Sequence, residues 1–172
     1  TRHPFHVIIE GNIGAGKSTL IDEVQRLLDP AFREQCMASP LSAIKPVKEP
    51  VTTWQEDNML QRLYGQGQPV DIGLFQCYAL ATRWAQLDQE ATALKPGDVL
   101  LQERDLASGD VFADVNLAPV DQVAYNRVHR AFQRAREAIM PTCDQLWVFL
   151  DLPPEIALQR VRERARPEEA SI

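Results

Sequence analysis

The stretch Gly11-Asn12-Ile13-Gly14-Ala15-Gly16-Lys17-Ser18-Thr19 completes the pattern G-x-x-x-x-G-K-[ST] directly after the apolar run His6-Val7-Ile8-Ile9-Glu10. The pattern has its physical meaning only as a turn between a buried strand and a helix. Both flanks supply that context. The run before it reads as a buried strand, and after it Leu20, Ile21, Val24, Leu27 and Leu28 recur at helical spacing over Lys17–Leu28. Gly11, Gly14 and Gly16 let the backbone turn so that its N–H groups converge on phosphate oxygens, and the helix N-terminus adds a favourable dipole. Lys17 supplies a point charge for β- and γ-phosphates, and the Ser18 hydroxyl is a ligand for Mg²⁺.

The rest of the chain alternates short apolar runs with helical patterns. Residues 6–10, 46–49, 98–102 and 146–150 are expected as strands; Gln55–Tyr64, Val70–Leu94, Val120–Ile139 and Glu155–Arg164 are expected as helices. In the third of these helices the apolar side is Val123, Ala124, Val128, Ala131, Phe132 and Ala135. Such alternation implies a parallel sheet covered on both faces. Asp29–Lys45 and Gly65–Gln68 read as loops. With 172 residues, 45% hydrophobic and 24% charged, one domain over 1–172 is expected.

A formal charge of −6 argues against a general nucleic-acid binder and for a small nucleotide as ligand. Cys36, Cys77 and Cys143 have no paired spacing, so neither a disulfide framework nor a zinc site is indicated, and a reducing compartment is expected. No stretch has the length of a membrane span and no secretory signal is visible, so no membrane partner is expected. The first residue is Thr1, which leaves a removed transit peptide open.

A phosphate loop alone does not separate a kinase from an ATPase or a switch, and three further clusters carry the discrimination. Glu49-Pro50-Val51-Thr52-Thr53-Trp54 follows the second expected strand, where ligand sites of open parallel sheets gather. A carboxylate there takes a proton from a hydroxyl, and Trp54 offers a flat wall to a base or sugar; a solvated Glu beside a core Trp is the competing reading. Glu103-Arg104-Asp105 ends the third expected strand, so that a carboxylate could complete a Mg²⁺ shell while Arg104 meets the attacking oxygen or the transferring phosphoryl group. Arg160, Arg162, Arg164 and Arg166, followed by Glu168 and Glu169, form either a solvated helix or a set of guanidinium forks for phosphoryl oxygens.

With these residues assembled, the chain resembles the deoxynucleoside kinase family, the group of deoxycytidine, deoxyguanosine, mitochondrial thymidine and insect multisubstrate deoxynucleoside kinases. The carriers, in order, are the phosphate loop, Glu-Pro-Val-Thr-Thr-Trp, Leu-Phe-Gln-Cys-Tyr at 74–78, Glu-Arg-Asp at 103–105 and Arg-Glu-Arg-Ala-Arg-Pro-Glu-Glu at 162–169. The resemblance implies an α/β P-loop kinase fold, an open parallel sheet flanked by helices, with an arginine-rich lid near the C-terminus. It implies transfer of the γ-phosphoryl of ATP or another NTP to the 5′-hydroxyl of a deoxynucleoside. Glu49 would be the general base, with Arg104 and Lys17 as the other catalytic groups. Ser18 and Glu103 would bind Mg²⁺. The donor would contact Gly11, Asn12, Gly14, Ala15, Gly16, Lys17, Ser18 and Thr19, under lid residues Arg160, Arg164 and Arg166. Gln76 would read the base between Phe75 and Trp54, and Tyr64 with Glu169 would hold the sugar 3′-hydroxyl. A homodimer is implied, in the cytoplasm, with mitochondria open.

The chain departs from the family in three ways. Asp105 stands where the family has serine, and the stretch Leu106–Ala113 is shorter by one, which blurs whether Ser108, Gly109 or Asp110 faces the base. Trp84, with Arg83 adjacent, falls where some members have a base-contacting arginine, which leans the expectation to pyrimidines, thymidine or deoxycytidine. Family members also continue past the lid with a further strand and helix, so either the chain is cut or a four-stranded sheet has an edge to cover. Two rival readings are a nucleoside monophosphate kinase and a catalytically silent, kinase-like accessory subunit.

Overall fold

The computed structural model of the chain describes residues 3–27, 43–64, 72–140 and 143–169. β1 (Phe5–Gly11) is buried along both faces, with Ile8 and Ile9 shielded from solvent, as a central parallel strand requires. It pairs in parallel with β3 (Val99–Glu103), Ile9 opposite Glu103, and on its other side with β4 (Asp144–Leu150), Gly11 opposite Leu150. β2 (Ile44–Val47) pairs with β3, so that among the described residues the sheet order is β2-β3-β1-β4, all parallel. The expected α/β architecture is therefore observed. Its order puts the ends of β1 and β3 side by side, the two strands that lead into the phosphate loop and the Glu103-Arg104-Asp105 turn.

α1 (Lys17–Leu27) covers one face of the sheet, burying Ile21 against Ile9 and Leu101. The other face carries α4 (Ile72–Thr92), whose Leu87 and Ala91 pack on Val47 and Leu100 together with Met140. Met140 follows α6 (Pro119–Ile139). α7 (Pro154–Arg164) follows β4, with Pro at its first turn where the missing N–H costs nothing.

Several expected boundaries shift. β2 covers 44–47 rather than 46–49, which takes Ile44 and Lys45 out of the expected loop and leaves Glu49 beyond the strand end. Pro46 is tolerated because β2 lies at an edge of the sheet. The helix expected over 55–64 is two helices, α2 (Val51–Glu56) and α3 (Met59–Tyr64), separated where Asn58 takes a left-handed φ of 56°. α5 (Ser108–Asn116) was not expected. In α6 the apolar side read from the sequence is largely on the surface: Val123 is 58% exposed and Val128 36%, while Tyr125 and His129 are buried. Periodicity detects an apolar stripe without telling whether the chain itself covers it.

Cys36, the loop stretches 29–42 and Gly65–Gln68, Leu28 and the expected helix start at Val70 lie outside the described residues. Among the described residues Cys77 and Cys143 form no disulfide. Among the described residues no helix is long and apolar enough to cross a membrane.

Candidate active site

The loop after β1 turns on Gly14 and Gly16, at φ 79° and 94°, a conformation that residues with a Cβ rarely enter. At Gly14 a Cβ would also collide with the Ala157 carbonyl oxygen, because α7 rests directly on the loop. Lys17 Nζ donates to Gly11 O at 3.2 Å and to Asn12 O at 2.8 Å. Burial, followed by repulsion from Arg104, lowers the Lys17 pKa to about 8. A buried ammonium in that condition is stabilised by an arriving anion.

Ser18 Oγ lies 2.9 Å from both carboxylate oxygens of Glu103, joining the first turn of α1 to the end of β3. Burial, and then the neighbouring Glu49 charge, raise the Glu103 pKa against the opposing pull of Ser18 and Lys17. A hydroxyl and a carboxylate short of counter-charge are a hard oxygen donor set, and they fit Mg²⁺.

Glu49 sits in the turn between β2 and α2, and its backbone N–H is 3.5 Å from Glu103 Oε2. Two guanidinium groups converge on its Oε1: Arg83 Nη2 donates to it, and Arg104 Nε stands 3.1 Å away. Burial raises the carboxyl pKa, but Arg83, Arg104 and Lys17 together outweigh that and hold it below the ordinary range. Arg104 has φ 60° and its guanidinium lies over the Phe112 ring, 5.3 Å from the centroid.

Beside this cluster Trp54 and Phe75 meet edge to face at 5.7 Å, and Trp54 Nε1 donates to Thr82 Oγ1 at 2.8 Å, which locks the indole. Arg83 lies over the same indole at 5.4 Å. Gln76, only 9% exposed, lies one residue after Phe75 on α4. At the other wall α7 ends in a left-handed Ala165 and runs into a 3₁₀ turn, Pro167–Glu169. There Glu169 accepts from Arg164 Nε at 2.8 Å and lies 3.5 Å from Arg166, while Glu168 accepts from Gln55 at 3.2 Å. Burial and the Glu169 charge raise the Tyr64 pKa, so the phenol stays protonated as a donor.

A cavity of about 1020 Å³ joins these groups. It lies at the upper end of volumes for small-molecule sites. It is lined by Gly14, Ala15, Gly16, Lys17, Ser18 and Thr19 from the loop and by Glu49, Trp54, Tyr64, Phe75, Gln76, Glu103 and Arg104 from the strand ends and helices. Arg160, Arg164, Arg166 and Glu169 complete it. Of the residues to which the family resemblance gives a role, Gly11 and Asn12 stand outside this lining, and their carbonyls hold Lys17.

Two readings of the sequence are corrected here. Trp84 does not face the cavity: it packs in the core, 5.8 Å from Phe132, and Arg83 lines the cavity in its stead. The signal was present in the spacing, because Gln76, Ala79 and Arg83 share one face of α4. Of Ser108, Gly109 and Asp110, none lines the cavity. Ser108 Oγ donates to Glu10, Gly109 abuts Tyr125, and Asp110 lies 3.0 Å from His129 Nδ1; Phe112 and Asn116 face the cavity instead.

A family model described as deoxynucleoside kinase matches residues 7–172. Among curated relatives, the chain is 25% identical over 168 residues to the probable deoxycytidine kinase of fowlpox virus (strain NVSL), covering 96% of this chain and 64% of the relative. It is 28% identical over 177 residues to the thymidine kinase of Ictalurid herpesvirus 1 (strain Auburn), covering 95% of this chain and 65% of the relative. The chain thus spans just under two thirds of the length of these relatives. Among solved structures, the deoxyadenosine kinase from M. mycoides with products dCMP and a flexible dCDP bound matches with a TM-score of 0.64 at 23% identity, covering 98% of this chain and 75% of that one. The same enzyme with bound dATP matches with a TM-score of 0.62 at 21% identity over the same shares. These structures share the fold, a parallel sheet flanked by helices behind a phosphate loop.

Proposed function

The chain belongs to the deoxynucleoside kinase family, and on that premise we propose that it moves the γ-phosphoryl group of ATP or another nucleoside triphosphate onto the 5′-hydroxyl of a deoxynucleoside. In the step, the 5′-oxygen bonds to the γ-phosphorus, the bond from that phosphorus to the β,γ-bridging oxygen breaks, and the nucleoside diphosphate leaves. The Glu49 carboxylate takes the hydroxyl proton and later yields it to water. Arg104 stays on the reacting oxygen and the charge that spreads over the phosphoryl oxygens. The chemistry needs little beyond positioning and electrostatic stabilisation.

Lys17 and the loop amides hold the donor phosphates, with Arg160, Arg164 and Arg166 over them. Ser18 and Glu103 would hold Mg²⁺, which would supply positive charge against the donor phosphates. Gln76 presents a donor and an acceptor to the base edge, Phe75 and Trp54 flank it, and Tyr64 with Glu169 holds the 3′-hydroxyl. Arg83 joins the acceptor half as a second cation on Glu49.

The observation that carries this reading is the run of contacts Ser18–Glu103–Glu49–Arg104, which joins the phosphate loop to a carboxylate aimed into the same cavity. The test is phosphorylation of thymidine, deoxycytidine, deoxyadenosine and deoxyguanosine with MgATP by wild type and Glu49→Gln. Loss of about 10²–10³ in kcat is expected for the variant, and full activity would remove Glu49 as the base.

The nucleoside monophosphate kinase reading has one observation in its favour, two arginines at the acceptor end. Both stand beside Glu49, however, and a phosphate there would face that carboxylate. Competition between thymidine and thymidylate in a binding titration separates the two. The surface of α5 and α6, with Val111 65%, Val115 79% and Val123 58% exposed, supports a homodimer through that face. Sedimentation of wild type and Val123→Lys tests it.

A further inference from the structure

The peptide that links Arg104 to Asp105 is held at both ends by side chains. Gln102 Nε2 donates to its carbonyl oxygen at 2.7 Å, and Glu10 Oε1 accepts from its N–H at 2.7 Å. The preceding peptide is held as well, Arg104 N–H donating to Ile9 O at 3.0 Å. Between these three bonds Arg104 takes its φ of 60°, a conformation that a residue with a Cβ keeps only when its surroundings impose it.

The left-handed turn has a geometric effect. In an extended strand successive side chains point to opposite faces, yet Glu103 and Arg104 both line the cavity. Turning the backbone at Arg104 brings its guanidinium to the same side as the Glu103 carboxylate and onto Glu49 Oε1.

Gln102 is itself oriented. A carbonyl only accepts, so the amide nitrogen faces Arg104 O and the amide oxygen faces His6, 2.7 Å from Nε2. His6 therefore carries its proton on Nε2, and both side chains are buried, at 0% and 2% exposure. Glu10 also accepts from Ser108 Oγ and stands 4.0 Å from Arg104 Nη1, tying the end of β1 to the start of α5. Neither Gln102 nor Glu10 lines the cavity.

We propose that Gln102 and Glu10 are positioning residues that clamp the 104–105 peptide and so aim the Arg104 guanidinium at the acceptor oxygen. The proposal rests on the reading of Arg104 given above. A double-mutant cycle tests it, with MgATP and whichever of the four deoxynucleosides wild type phosphorylates fastest. Gln102→Met, of similar length without the donor, lowers kcat by about tenfold with the nucleoside KM within about twofold. In an Arg104→Ala background the same change lowers kcat no further. Glu10→Ala behaves like Gln102→Met, while Glu10→Gln, which keeps the accepting oxygen, stays within about threefold of wild type.

Equal losses in both backgrounds overturn the clamp, since the effect would then not pass through Arg104; so does full activity in Gln102→Met and Glu10→Ala. If Gln102→Met does not fold, the Glu10 pair runs the same cycle. Wild-type kcat in Arg104→Ala removes the reading of Arg104, and the clamp's role with it, a result distinct from the additive one. Hydrogen exchange reads the clamp without activity: the Asp105 amide is protected in wild type and exchanges faster in Glu10→Ala, and equal rates overturn it.

Discussion

The Ser18 hydroxyl stands 2.9 Å from both oxygens of the Glu103 carboxylate, so that the helix after the phosphate loop and the strand beside it present their oxygens to one point. If that point holds Mg²⁺, removing the carboxylate charge weakens the ion's hold directly. Glu103→Gln is expected to raise the Mg²⁺ concentration for half-maximal activity by about tenfold or more. A Mg²⁺ titration at fixed ATP reads this; an unchanged midpoint would take Glu103 out of the metal's shell.

His6 governs an acid-side loss of stability. Burial, only partly offset by the Gln102 hydrogen bond, lowers its pKa from 6.5 to about 4. The folded protein therefore refuses a proton that the unfolded chain accepts near pH 6.5. Stability from this group is full above that pH and falls as pH drops towards 4, by up to about 3 kcal/mol. Urea unfolding at pH 7, 6, 5 and 4 should show a shallower decline in His6→Asn than in wild type. Parallel declines would mean that His6 titrates normally.

Arg83 controls how acidic the proposed base is. Burial pushes the Glu49 carboxyl up, and Arg83 is the largest of the charges that hold it down. Arg83→Met should therefore raise the Glu49 pKa and move the acid limb of kcat/KM for the nucleoside to higher pH. An acid limb that stays where wild type has it would show that the Arg83–Glu49 pair does not govern the base.

Gly109 lies in α5, where alanine would gain up to about 1 kcal/mol of helix propensity. A Cβ there would collide with the Tyr125 hydroxyl, whose ring is 1% exposed and has nowhere to retreat. Overpacking of this kind costs about 1–3 kcal/mol and should win. Gly109→Ala is expected to lower the thermal midpoint, and adding Tyr125→Phe, which deletes the clashing oxygen, should restore most of the loss. Failure of the second change to rescue the first would point to another cause.

The phosphate loop, the four strands and the cavity residues at the loop and strand ends were legible because each rests on a local rule: glycines at a turn, apolar runs of strand length, charged residues at strand ends; Tyr64, Phe75 and Gln76 came only with the family resemblance. Arg83 and Trp84 were exchanged because both flank the same turn of α4, and size and hydrophobicity alone do not say which faces the cleft. α5 was missed because Gly109 and the polar start Ser108-Gly109-Asp110 read as loop, while its valines face outward. Gln102 and Glu10 were invisible for a different reason. Their partners are backbone groups fixed only once β1 and β3 lie together, and no spacing in the sequence encodes that.

Asp105 is 1% exposed and faces Arg136 of α6 at 3.0 Å, a largely buried charge pair between the turn after β3 and a helix residue 31 positions along the chain. Losing either member leaves the other ion buried without its counter-charge, at a cost of about 3–5 kcal/mol. Changing Asp105 alone to the serine that the family resemblance puts at this position is therefore expected to destabilise the fold. An intermediate that pairs a serine with Arg136, or Asp105 with a neutral partner on α6, is less fit to fold than either end. In a library randomised at both positions, functional survivors should fall into charged pairs and neutral pairs, with mixed combinations depleted.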